Sequence, residues 1–118
     1  MDKGISNRRR HPRHPIAVCA WLRFRDEDTA RCTRSCDLAR EGARFVALRP
    51  VRAAEPVILS LSLSGTRSME CKAVVCWSRR IPNGMFEFGV RFLDLRDEEY
   101  EQLDAALASA EQTFAVSL

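Results

Sequence analysis

The chain has 118 residues, 46% hydrophobic and 30% charged, which suits one compact core and is too short for two ordinary domains. Lys+Arg total 19 against 16 Asp+Glu, and Lys3 and Lys72 are the only lysines, so 17 of the basic residues are arginine; that bias suits planar, bidentate pairing with phosphate or guanine, though a GC-rich genome produces it without any ligand. No run approaches the roughly 18 apolar residues that span a bilayer and residues 1–15 lack the apolar stretch of a signal peptide, so the expected location is the cytoplasm, with no membrane partner.

Residues 1–15, MDKGISNRRRHPRHP, are polar, basic and broken by Pro12 and Pro15, which predicts a flexible extended arm. A strand is expected from Ile16 to Phe24, with Trp21 in the core, then a connection through RDEDT and a second strand from Arg31 to Cys36. DLAREG places a turn at Asp37–Gly42, with Gly42 free to take positive φ, before a strand from Ala43 to Leu48. After a loop at Pro50–Pro56 come strands at Val57–Leu63 and Met69–Arg79, joined by Ser64-Gly65-Thr66. Pro82-Asn83-Gly84 then turns the chain into Met85–Leu93, Asn-Gly being a strong hairpin signal.

Beyond Leu93 the apolar period lengthens to that of a helix, with Tyr100, Leu103, Leu107, Ala110 and Phe114 three or four apart. A helix is expected over residues 96–114, capped by Asp94 or Asp97, with its early acids at the positive end of the dipole. Residues 94–111 hold seven acids and one base, a local −6 that leaves +9 on the first 93 residues. An all-β-dominated fold follows: six antiparallel strands in a barrel or sandwich over residues 16–95, with one C-terminal helix packed at an end.

The odd set Cys19, Cys32, Cys36, Cys71 and Cys76 has no familiar disulfide spacing and reads as small buried hydrophobes. The gaps among the last four lack the two-residue knuckle spacing of a zinc site, so neither metal nor cofactor is expected. His11 and His14 sit among arm arginines that oppose their protonation. The carboxylates concentrate on the helix, where a solvated face explains them. No catalytic constellation is visible, and the expectation is a protein that is not an enzyme.

Three features occur in one order: Arg9 and Arg13 four apart, the turn Asp37-x-Ala39-x-x-Gly42, and the segment VVCWSRRIPNGMFEFGVRFLDL. Together they resemble the PilZ domain family, which pairs an RxxxR motif with a later [D/N]xSxxG motif on a six-stranded antiparallel β-barrel, often followed by a helix. The resemblance runs from about Arg8 to Leu95. It implies a bacterial receptor for the second messenger cyclic di-GMP, acting in signal transduction. On that reading Arg9 and Arg13 are the paired arginines, Arg8 and Arg10 assist, and Arg8 favours a stacked dimer of the ligand. Asp37 accepts from guanine or orients an arginine, Gly42 allows close backbone approach, and Trp77 either packs or stacks on the ligand. Ala39 stands where the family has serine, so one hydrogen bond is missing and affinity is expected to fall.

The implied mechanism folds the arm over the ligand and presents the reshaped surface to an unidentified protein partner. Two other readings remain: a degenerate PilZ adaptor that works by protein contact without nucleotide, for which Ala39 speaks, and, more weakly, a small RNA- or DNA-binding barrel, suggested by the +9 of residues 1–93.

Overall fold

The computed structural model describes residues 18–25, 27–64 and 67–117. The arm, with Arg8, Arg9, Arg10 and Arg13, and the Gly65-Thr66 turn lie outside the described residues. Among the described residues seven strands, β1 (Cys19–Phe24), β2 (Arg31–Arg34), β3 (Asp37–Leu38), β4 (Gly42–Ala47), β5 (Pro56–Ser64), β6 (Arg67–Ile81) and β7 (Met85–Leu93), precede helix α1 (Asp97–Ser117). They form one antiparallel sheet of order β2-β1-β5-β6-β7-β4-β3.

Seven strands stand where six are expected because the chain bends at Ser35-Cys36 and changes neighbours, so that Asp37–Leu38, expected within a turn, pairs with β4 as a short strand. The Ser35 amide donates to Val18 O at 2.9 Å on the β1 side, whereas the Cys36 amide donates to Arg44 O at 2.7 Å on the β4 side. The two ends of the sheet, β2 and β3, are therefore consecutive in the chain, and the sheet curls back on itself as a barrel. Thr33 Oγ1 donates to Val46 O across the remaining gap at 3.3 Å. Curling lets the longer strands bury one face, as period-2 patterning requires.

Strand β1 alternates strictly, burying Ala20, Leu22 and Phe24 while Cys19, Trp21 and Arg23 point outward. Trp21 is thus half exposed rather than core, because its place in that alternation puts it on the outer face. Val57, Leu59 and Leu61 fill the interior from β5, and Phe24, Phe45 and Phe88 form its aromatic centre, with ring centroids 5.9 Å apart from Phe88 to each of the others. Of the cysteines only Cys71 behaves as a buried hydrophobe; Cys19, Cys32 and Cys76 are exposed. Burial pushes the Cys71 thiol up to about 12, so it stays protonated and inert.

The register of β6 against β7 shifts between Val75 and Trp77. This bulge reverses the facing of β6: Met69, Ala73 and Val75 point inward, and Trp77 points out. In the expected turn, Asn83 (φ 73°) and Gly84 (φ 71°) take consecutive left-handed conformations, as a tight hairpin demands. Helix α1 seats Leu103 in the core, with Leu95 and Leu107 beside it. Its start is capped by Glu99, whose Oε1 accepts from the Arg96 amide at 2.8 Å, the acid-to-backbone half of a capping box. Neither Asp94 nor Asp97 makes that bond; Asp94 instead takes φ 55° in the turn before the helix. Among the described residues no helix is long and apolar enough to cross a membrane.

Candidate functional site

Two of the expected site residues of the barrel, Asp37 and Trp77, share one outer face. Asp37 of β3 is the cross-strand partner of Arg44 on β4, Arg44 that of Gly89 on β7, and Gly89 that of Trp77 on β6. Asp37 and Trp77, forty residues apart in sequence, therefore lie on one row across four strands. Directly opposite pairs are the closest side-chain neighbours that a sheet offers.

Arginines hold this row together. Arg44 Nε donates to Asp37 Oδ2 at 3.0 Å, and its Nη1 pairs with Glu87 Oε2. On the far side of Glu87, Arg79 donates to Oε1 at 2.6 Å. Burial opposes ionisation of Glu87, yet the hydrogen bonds and charges of Arg79 and Arg44 outweigh it and hold the carboxyl below the usual glutamate range. Arg44 likewise stays charged: burial works against it, and its bonds to Glu87 and Asp37 prevail. The result is a fixed chain of alternating charge, Asp37–Arg44–Glu87–Arg79, with Arg79 largely open to solvent.

Gly42 serves a different need from the one expected. It is not among the residues with positive φ. Instead a Cβ built there would lie 1.9 Å from Val90 O, so the absent side chain is what allows β4 to approach β7. Gly89 answers a similar need nearby on β7, where a Cβ would meet Trp77 Nε1 at 2.4 Å. The indole lies over Gly89 on the outer face and remains 39% exposed, which leaves it a free aromatic surface beside Arg79. Ala39 is fully buried and its amide donates to Gly42 O at 2.9 Å; a hydroxyl there would need a partner inside the turn. Ser35 is no substitute, since it is buried and its Oγ accepts from the Val18 amide at 3.0 Å.

The turn between β3 and β4 is also tied to the helix. Arg40 Nε donates to Asp104 Oδ1 at 3.1 Å, and its guanidinium sits 4.3 Å from the Tyr100 ring centroid. Arg40, Arg44, Arg79, Glu87 and Gly89 were not singled out from the sequence. Counting outward from the Asn83-Gly84 hairpin pairs Ile81 with Met85, Arg79 with Glu87 and Trp77 with Gly89, so that portion of the face was readable by register alone. A cavity of about 780 Å³ lies elsewhere, lined by Arg25 just after β1 and by Arg49, Arg52 and Glu55 on the loop before β5.

The sequence matches the model of the PilZ domain over residues 7–109. The chain belongs to the PilZ domain family. That match includes both Arg9–Arg13 and Asp37–Gly42. No curated protein sequence matches the chain significantly. Among solved structures, it is similar to the PilZ domain of YcgR from Escherichia coli with c-di-GMP, at 16% identity and a TM-score of 0.72 over 93% of this chain and 96% of that one. It also resembles Bacillus subtilis MotI (DgrA), an inhibitor of motility, at 15% identity and a TM-score of 0.74, covering 92% of this chain and 52% of that one. The K. pneumonia MrkH–c-di-GMP complex gives 14% identity and a TM-score of 0.76, covering 94% and 56%. The chain thus spans about half the length of MotI and MrkH and nearly all of the YcgR PilZ domain. These likenesses establish a PilZ fold.

Proposed function

We propose that this PilZ domain is a receptor for cyclic di-GMP that relays the signal to a protein partner and catalyses nothing. The observation that carries the reading is the clasp between Val18 and Ser35, two reciprocal hydrogen bonds at 3.0 and 2.9 Å that bring the start of the barrel within two residues of Asp37. Arg13 lies five residues before Val18, at most about 18 Å of extended chain. The Arg9-x-x-x-Arg13 pair is therefore within chain reach of the Asp37–Trp77 face. The ligand named in the YcgR and MrkH structures supports the choice of cyclic di-GMP.

In this reading Arg9 and Arg13 present guanidinium forks to guanine O6 and N7, each worth about 1–3 kcal/mol in the DNA setting where such pairs are characterised. Arg8 and Arg10 meet phosphate, with Arg8 favouring a stacked ligand dimer. Asp37, oriented by Arg44, accepts from guanine N1 and N2 donors, and the Trp77 indole offers a flat face for stacking. Ala39 and Gly42 shape the turn. The arm exchanges conformational entropy for these contacts, and the partner reads its new position.

Calorimetric titration with cyclic di-GMP at physiological salt tests the proposal. The wild-type chain is expected to bind, and Arg9→Ala or Arg13→Ala to lose roughly 10- to 100-fold in affinity with unchanged Tm. No binding by the folded wild type overturns the receptor reading. That outcome would favour a PilZ adaptor acting by protein contact, the alternative to which Ala39 in the serine position points.

A further inference from the structure

Two exposed thiols meet on the opposite side of the β2–β3 bend from Asp37. Cys19 begins β1 and Cys32 sits in β2, where its cross-strand partner is Trp21, two residues beyond Cys19. The two cysteines are thus diagonal neighbours on the outer face, and their sulfurs are 3.8 Å apart. Both are exposed. Contact with Cys19 and slight burial push the Cys32 thiol up, while the Arg34 guanidinium, on the residue opposite Cys19, pulls the other way.

We propose that Cys19 and Cys32 form a reversible dithiol–disulfide pair that reacts with small disulfides such as oxidised glutathione. The sulfurs must close from 3.8 Å to about 2.05 Å. Strand β2 is four residues long and mostly exposed, so side-chain rotation and a small strand shift can supply that movement. In the first step one cysteine, as thiolate, attacks a sulfur of the glutathione disulfide. A mixed disulfide forms, the S–S bond of the oxidant breaks, and one glutathione leaves as thiol after protonation. The second cysteine, having lost its proton to solvent, then attacks the protein sulfur of the mixed disulfide and expels the second glutathione. Two thiols are oxidised by two electrons and one disulfide is reduced, so the step balances.

The other cysteines provide internal controls. Cys76 is exposed, and the contact its sulfur makes is with Val74 O, so it can accept glutathione but has no neighbouring thiol among the described residues to expel it. Cys71 is buried and protonated. The cross-link would fasten the first residue of β1 to β2 immediately beside the Val18–Ser35 clasp, fixing the point from which the arm departs.

The test treats the folded chain with oxidised glutathione, blocks remaining thiols and maps the products by peptide mass spectrometry. A Cys19–Cys32 linked peptide is expected, carrying no glutathione, while Cys76 of the same molecules retains it. Cys19→Ser and Cys32→Ser should each convert the remaining partner to a stable glutathione adduct. The oxidised wild type should gain several degrees in Tm, reversed by reductant. Glutathione retained on both Cys19 and Cys32, or their appearance only in intermolecular dimers, would overturn the proposal. These readouts do not involve cyclic di-GMP, so they stand or fall apart from the receptor reading.

Discussion

Replacing Gly42 by alanine separates two reasons for a glycine at this motif position. The added Cβ would lie 1.9 Å from Val90 O, 3.0 Å from Val90 C and 3.2 Å from Arg91 Cα. An ordinary carbon–oxygen contact is about 3.3 Å or more, and all three neighbours are backbone, so β4 and β7 must separate by more than 1 Å at the Gly42–Arg91 pair. Overpacking of that kind costs about 1–3 kcal/mol. Each ladder hydrogen bond stretched or lost adds about 0.5–1.5 kcal/mol, and the gain from restricting the unfolded chain offsets only about 0.4–1 kcal/mol. A net loss of about 3 kcal/mol follows, or a fall of roughly 12 °C in Tm for a domain of this size. Thermal and urea unfolding of the two proteins measure it. If glycine is needed only for a ligand to come close, alanine would leave Tm unchanged and weaken nucleotide binding alone; a Gly42→Ala stability within about 0.5 kcal/mol of wild type refutes the packing argument.

The neighbouring Gly89→Ala should behave differently, because its Cβ meets the Trp77 indole, a partly exposed side chain able to swing outward. A stability cost of about 1 kcal/mol with a red-shifted tryptophan emission is expected, and an unmoved spectrum would contradict the contact. Glu87 has a folded pKa below its unfolded value of about 4.3, so its stabilisation is complete above that pH and is lost as pH falls through the lower folded value. Glu87→Gln should therefore lower stability at pH 7 by about 1–2 kcal/mol and flatten the acid limb of the stability curve below about pH 4.3, leaving a residual slope from Glu27 and Glu99, whose pKa values are also depressed. An acid limb as steep as in wild type would count against the Arg44–Glu87–Arg79 network. Arg9→Ala and Arg13→Ala, by contrast, should change affinity and leave Tm in place.

Much of the barrel was legible because its strands alternate cleanly. VILSLSL placed Val57, Leu59 and Leu61 inside, and Asn83-Gly84 located a hairpin whose left-handed residues are those two. The bend at Ser35-Cys36 was not legible, since a change of neighbour leaves no mark on hydrophobic period; it is set by which strand lies alongside. Trp21 misled because size and apolarity suggest burial, whereas its position in the β1 alternation decides the matter. The exposed cysteines misled in the same way. On the proposed face, the motif resemblance pointed to Asp37, Gly42 and Trp77, whereas Arg44 and Glu87 emerge only from register. Gly42 was found for the wrong reason, because a close strand approach and a positive φ both call for glycine, and sequence cannot tell them apart.

In the proposed mechanism cyclic di-GMP draws the arginine arm onto the Asp37–Trp77 face, and amide hydrogen exchange with and without saturating ligand tests this most directly. Exchange is expected to slow at residues 9–13 and across Asp37–Gly42, while the interior strands β5 and β6, protected by ladders on both sides, change little. Unaltered exchange at residues 9–13 in a chain that demonstrably binds the nucleotide would contradict the arm mechanism and place the ligand elsewhere on the barrel.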